Sequence, residues 1–354
     1  MARFSDVLTI INGKNQSKVE NPNGKYPIYG SGGVMGYADD YICEAQTVII
    51  GRKGSINKPI FVETPFWNVD TAFGLKANKD VLLPKYLYYF CEHFDFEKLN
   101  TTVTIPSLTK ANLLNIEMEL PIIEKQQEIV VQLDKVECII SLRKQQLSKL
   151  DELVKSRFIE MFGDCETKVL IGEVISISRG ASPRPISAYI TDDADGINWI
   201  KIGDVSENSL YITQTEEKIT CEGARKSRMV HKGDFILSNS MSFGRPYILR
   251  IDGCVHDGWL IISNFRNTFN ELYLYYAIRD DEVQNQFSGK VNGATVKNLN
   301  SDLVKSTRIK VPPMHKQEQF AAFVEQIDKS KLAIQKSLEK LETLKKALMQ
   351  KYFG

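Results

Sequence analysis

The sequence predicts an α+β fold. Two similar globular domains alternate with two long helices, the helices pair as an antiparallel coiled coil, and the chain forms a pseudo-twofold internal repeat. Three observations predict it. A run from Glu124 to Gly163 holds no Pro, and no Gly before its last residue. That run returns at a constant offset of 191 positions, so that Pro121, Gln126, Leu150 and Gly163 recur as Pro312, Gln317, Leu341 and Gly354. The segments preceding the two runs also repeat each other, more faintly. A duplication of this length is architectural before it is functional.

In the first run Leu133, Val136, Ile140, Leu147, Leu150 and Val154 follow the three-and-four spacing of a helical seam, with Arg143 and Arg157 filling its gaps. In the second, Val324, Ile327, Ile334, Leu338, Leu341 and Leu348 do the same, with Lys331 and Lys345 at the polar positions. Such a seam over about four heptads is that of a coiled coil. Pro121 and Pro312 precede the helices, where a missing N–H costs nothing. Gly163 and Gly354 follow them, where a left-handed cap is expected. Each helix would be about 60 Å long at about 1.5 Å per residue. A stripe this narrow needs a partner. The reading adopted is pairing within one chain; packing of each helix on its own domain, or zipping of two chains, stays open.

The remaining segments are the domains, 1–123 and 164–313, alternating with helices 124–163 and 314–354. In the first, Phe4–Ile11 reads as a short helix and Tyr26–Tyr29, Thr47–Ile50, Pro59–Val62 and Thr71–Leu75 as strands. Lys85–Leu99 reads as an aromatic-rich helix. The second repeats the order. Gly13 matches Gly180, and Val48-Ile49-Ile50, Asp70 and Tyr86-Leu87-Tyr88-Tyr89 match Phe235-Ile236-Leu237, Asp257 and Tyr273-Leu274-Tyr275-Tyr276. The scaffold is shared and the intervening polar residues are not.

The chain has 354 residues, 43% hydrophobic and 25% charged, with a net charge of +1. That is an ordinary globular composition. Any anion-binding surface must therefore be a local patch. The six cysteines include no C-x-x-C pair, so neither a zinc site nor a disulfide framework is expected. No signal peptide or membrane span is read, and a reduced, cytoplasmic protein is expected.

Catalytic motifs are poorly represented. None of the four histidines forms a helical metal pair, and no G-x-S-x-G or H-E-x-x-H occurs. Cys254 with His256 suggests a Cys–His site, but the first half has Val69-Asp70 in place of His256-Asp257, which argues against it. Gly30-Ser31-Gly32-Gly33 is read as a turn, and Gly51-Arg52-Lys53-Gly54-Ser55 lacks the spacing of a nucleotide loop. Binding remains. Arg52, Lys53, Ser55, Asn57 and Lys58 lie on one loop after a strand, and Asn239, Ser240, Ser242 and Arg245 on its counterpart. Arg179, Ser182 and Arg184 form a further group, and Arg225, Lys226 and Arg228 another. Lys110 and Lys297 lie near the domain ends. These residue types grip phosphates or fork onto base edges.

With its alternating plan, and with Leu120-Pro121 before Glu124-Lys125-Gln126-Gln127 and Val311-Pro312-Pro313 before Lys316-Gln317-Glu318, the chain resembles the specificity subunit of type I restriction–modification systems over essentially its full length. Trp199-Ile200, Gly233-Asp234-Phe235-Ile236-Leu237 and His256-Asp257-Gly258 are similar to that family's recognition-domain phrasing. The resemblance implies two target recognition domains, each reading one half of a bipartite asymmetric site in double-stranded DNA. The helices would set the spacer and dock two methyltransferase subunits, and the complex would recruit nuclease–translocase subunits. This chain would be non-catalytic and hold no cofactor, with S-adenosylmethionine, ATP and magnesium on the partners. Two rival readings are a specificity subunit of another restriction class, with a fused methyltransferase–nuclease partner, and a scaffold that binds protein alone.

Overall fold

The computed structural model describes residues 1–99, 107–205, 209–239, 244–289 and 299–354. They divide into two compact units, 1–146 with 333–354 and 147–332. Each unit holds one sheet-bearing domain and a part of both long helices.

In the first unit the main sheet has the spatial order Leu8–Asn12, Ala72–Ala77, Thr47–Gly51, Ile60–Val62, antiparallel throughout. Thr47–Gly51 is buried at all five positions, which explains its unbroken apolar reading. A smaller sheet joins Gly33–Ala38, Tyr26–Gly30 and Trp67–Asn68, the last two strands in parallel. The Pro84–His93 helix lays Tyr86, Leu87, Tyr89 and Phe90 into the core.

The second unit repeats this plan. Its main sheet runs Ser176–Arg179, Trp259–Ser263, Phe235–Ser238, Pro246–Leu249, the counterparts of the four strands above in the same order, and adds Tyr211–Ile212. A second sheet again contains a parallel pair, Ile197–Ile200 with Gly253–Val255. The Glu271–Arg279 helix takes the place of Pro84–His93. The faint sequence repeat is thus a repeat of sheet topology.

The long helices span Ile123–Phe162 and Met314–Phe353. Within the first unit Gln132 accepts from the Tyr352 hydroxyl at 2.7 Å, Glu137 pairs with Lys345 at 2.7 Å and Lys144 with Glu342 at 3.3 Å. One number rises as the other falls, so the helices run antiparallel. Within the second unit Asp151 meets Lys331 and the Arg157 guanidinium lies over the Phe323 ring, 5.9 Å from its centre, in the same sense. All twelve predicted seam residues are buried or half-buried. The long helices also feed the domain cores. Ile129, Val130, Leu133 and Met349 join the first core, and Val154, Phe158, Phe162, Phe320 and Val324 the second. Helix pairing and packing on the domains, posed as alternatives, coexist.

Gln126 and Gln317 explain the matched phrases at the helix starts. Both are fully buried. Gln126 donates to Val81 O and Pro121 O and accepts from Leu83 N, each at 2.8 Å. Gln317 donates to Thr268 O and Pro312 O and accepts from Asn270 N. One amide thus satisfies three main-chain groups and ties each long helix to the start of an aromatic helix.

Three local expectations are corrected. Phe4–Ile11 is a single helical turn, Phe4–Val7, followed by the strand Leu8–Asn12; Leu8 and Ile10 are buried with Thr9 exposed, the period of a strand. Lys85–Leu99 is not one helix. It stops at His93, and a 3₁₀ turn, Phe96–Leu99, follows, started by Asn57 Oδ1 accepting from Phe96 N at 2.8 Å. Gly163 and Gly354 do not adopt the left-handed cap, since the described positive-φ glycines are Gly33, Gly54, Gly233 and Gly244. Gly163 N instead donates to Ile159 O, and a β-carbon there would fall 2.6 Å from that oxygen.

Candidate nucleic-acid interface

In each main sheet three loops meet at one end. In the first domain Asn12 pairs with Phe73, and Gly51 with Ala72. The loops after Asn12 and Gly51 therefore lie beside Asp70-Thr71, and Arg52 N donates to Thr71 O at 2.8 Å. In the second domain Arg179 pairs with Leu260, and Ser238 with Trp259. This brings the loops after Arg179 and Ser238 to His256-Asp257-Gly258. The matched glycines make the approach possible. A β-carbon on Gly13 would fall 1.8 Å from Val69 O, and one on Gly180 2.1 Å from His256 O.

Arg179, Ser182, Arg184 and Asn239 converge on Asp257. Arg179 Nε and Asn239 Nδ2 donate to its main-chain oxygen at 2.9 and 3.1 Å. Ser182 Oγ donates to its Oδ1 at 2.9 Å, and Arg184 approaches its Oδ2 at 3.2 Å. The Ser182 hydroxyl foremost, with the Arg184 charge, holds the Asp257 carboxyl below the usual range. Behind it His256 Nδ1 accepts from Gly258 N at 2.7 Å. Burial lowers the His256 pKa and outweighs the opposing charges of Asp257 and Asp204. The ring holds the loop through its bond to Gly258 N. Cys254 turns to Ala224 O and Met229 Sδ.

The remaining candidates separate. Arg52, Lys53, Ser55 and Lys58 are exposed on the first domain's loop, with the Arg52 guanidinium 5.8 Å from the Phe73 ring centre. Asn57 is engaged in structure: its Nδ2 donates to Asp95 at 3.0 Å while its Oδ1 starts the 3₁₀ turn. Lys110 Nζ likewise donates to Ile10 O at 2.9 Å. In the second domain Ser227 donates to Ala181 O at 2.6 Å, and the exposed Arg228 pairs along the main chain with Val255. Arg225 is exposed, and Lys226 is drawn aside to Tyr189 and Glu222. Arg245 is half-buried and paired along the main chain with Ser238. Ser240, Ser242 and Lys297 lie outside the described residues. Among the described residues no His, Cys, Asp and Glu group is arranged to hold a metal ion.

Asp257 was missed as the hub. Its signal was the matched Asp70, which reads as scaffold when only the repeat is considered.

Residues 1–152 and 165–346 match the family described as "Type I restriction modification DNA specificity domain". The chain belongs to that family. It is 24% identical over 335 residues to a type I restriction enzyme specificity subunit of Haemophilus influenzae, covering 86% of this chain and 81% of that protein. It is 22% identical over 304 residues to the MjaX specificity subunit of Methanocaldococcus jannaschii, covering 78% and 68%. Among solved structures, the type I S subunit from M. genitalium covers all of this chain and 95% of its own, with TM-score 0.62 and 14% identity. A chain from a study of type I complex assembly and conformational transition gives TM-score 0.62 and 17% identity, covering 99% and 96%. These two share the fold. For a specificity subunit, donors and cations gathered at one end of each sheet are the chemistry that duplex DNA requires. No helix among the described residues is long and apolar enough to cross a membrane.

Proposed function

We propose that this specificity subunit reads a bipartite, asymmetric DNA site, one half with each domain, and that its long helices set the spacer between the halves. The observation that carries the reading is the repeated sheet with unlike loops: Arg52, Lys53 and Ser55 at one domain's sheet end, Arg179, Ser182, Arg184 and Asn239 at the other's. Matching four-strand frames with different donors imply different half-sites.

The subunit is non-catalytic in this proposal, with methylation and cleavage on methyltransferase and nuclease–translocase partners that hold S-adenosylmethionine, ATP and magnesium. Two methyltransferase subunits dock on the long helices. Support comes from apolar side chains left exposed there: Val131, Ile139 and Leu142 in the first unit, Leu153, Ile159 and Leu332 in the second. Placement in the cytoplasm, with the DNA, belongs to the same proposal.

The test exchanges residues 1–123 for the corresponding domain of another family member and maps methylated positions. One half-site changes and the other stays. A change in both halves contradicts modular reading.

A further inference from the structure

The recognition end of the second domain is built from cations and donors around one carboxylate. Four side chains fix Asp257, two of them through its carboxylate. Arg179 and Asn239 hold the main-chain oxygen of Asp257, and Ser182 and Arg184 each take one carboxylate oxygen. The Asp257 side chain is nevertheless 42% exposed, and that of Arg184 81%. An ion pair so open to solvent is weak, so a DNA phosphate can draw Arg184 away from it. A carboxylate offers about four acceptor positions, and the described contacts use two of them.

The first domain supplies an independent observation. Asp70 occupies the matching position, and it too is exposed. Counting from the matched glycines Gly13 and Gly180, Asn12, Asn15 and Ser17 stand where the second domain has Arg179, Ser182 and Arg184. Among the described residues no side chain hydrogen-bonds the Asp70 carboxylate. The carboxylate therefore recurs where its brace does not, and bracing the loop is not why it is there. Beside a phosphate backbone a carboxylate is repelled unless it meets a donor. In the major groove the donors that duplex DNA presents are the exocyclic amino groups, cytosine N4 and adenine N6.

We propose that Asp257 is a specificity-determining residue that accepts a hydrogen bond from such an amino group in one half-site, and that Asp70 does the same in the other. The inference rests on the reading that each domain binds one half-site.

Asp257→Asn and Asp70→Asn, each nearly isosteric, are placed singly at the native locus, and modified bases are mapped across the genome. Each variant relaxes one position of one half-site, by about 5- to 150-fold in preference, and leaves the other half-site unchanged. The identity of the relaxed base says whether cytosine or adenine is read. An unchanged motif in both variants, or an equal loss of methylation at every site, overturns the inference. If the unaltered chain directs no two-part motif, it is the proposed function that fails.

Discussion

At the scale of single residues, buried amides and one histidine carry the most specific consequences. Gln317 satisfies three main-chain groups, and its removal orphans Asn270 N, Thr268 O and Pro312 O inside the fold. Gln317→Ala is expected to cost about 1–3 kcal/mol, read as lost amide hydrogen-exchange protection around Asn270, and Gln126→Ala the same around Leu83. His256 gives a pH signature. Its folded pKa lies below the ordinary 6.5, so the unfolded chain takes up the proton first. The stability it contributes is complete above pH 6.5 and is lost as pH falls through the folded value. Protection of Trp199 and Ile261 amides should fall over that window, and His256→Asn should flatten the fall. Such roles are only partly legible in the sequence. Gln126 and Gln317 were visible as a recurring phrase, but what they bond is set by loops 43 and 47 residues away. Asn57 is a candidate by residue type alone, and the sequence does not show that Phe96 N claims its oxygen.

At the scale of elements, the long helices were the most readable, because a seam repeated at three-and-four spacing constrains a helix strongly. The short helix expected from Phe4 to Ile11 failed because four residues of apolar pattern do not separate a turn from a strand. Within the first unit Lys345 ties the two long helices to the Pro84–His93 helix, lying 2.7 Å from both Glu92 and Glu137. Burial lowers its pKa, but the two carboxylates prevail and raise it. Lys345→Ala leaves two carboxylates facing each other. The expected loss is about 1–2 kcal/mol, less than for a fully buried pair because Glu137 is half-exposed, and Glu137→Gln in the same chain recovers part of it. Ile139→Lys should reduce co-purification of methyltransferase subunits without changing the methylated motif. Removing one heptad from each long helix shortens it by about 10 Å, or about three base pairs of B-form DNA. The spacer should contract while both half-sites stay as they are, and an unchanged spacer would count against the helices as its ruler.

At the scale of the whole molecule, 45 basic and 44 acidic residues leave almost no net charge. Affinity for DNA must then come from cations gathered at particular loops. It should fall linearly on a log–log plot against salt, with a slope of roughly −0.9 per phosphate contacted. Charge reversal at Arg52 and Lys53 should weaken binding and flatten that slope. A flat salt response in the unaltered chain would favour a scaffold that binds protein alone. The repeat in sheet order, Leu8–Asn12, Ala72–Ala77, Thr47–Gly51, Ile60–Val62 against its later counterpart, was foreshadowed by matches as slight as Gly13 with Gly180. The loop contacts were not, because they depend on which ends of the strands converge. The central claim, two unlike readers on one repeated frame, is tested most directly by mapping every methylated position in the DNA of the source cell. The account predicts one motif of two different short sequences separated by a fixed unspecified spacer. A continuous motif, or a perfect palindrome, would contradict it.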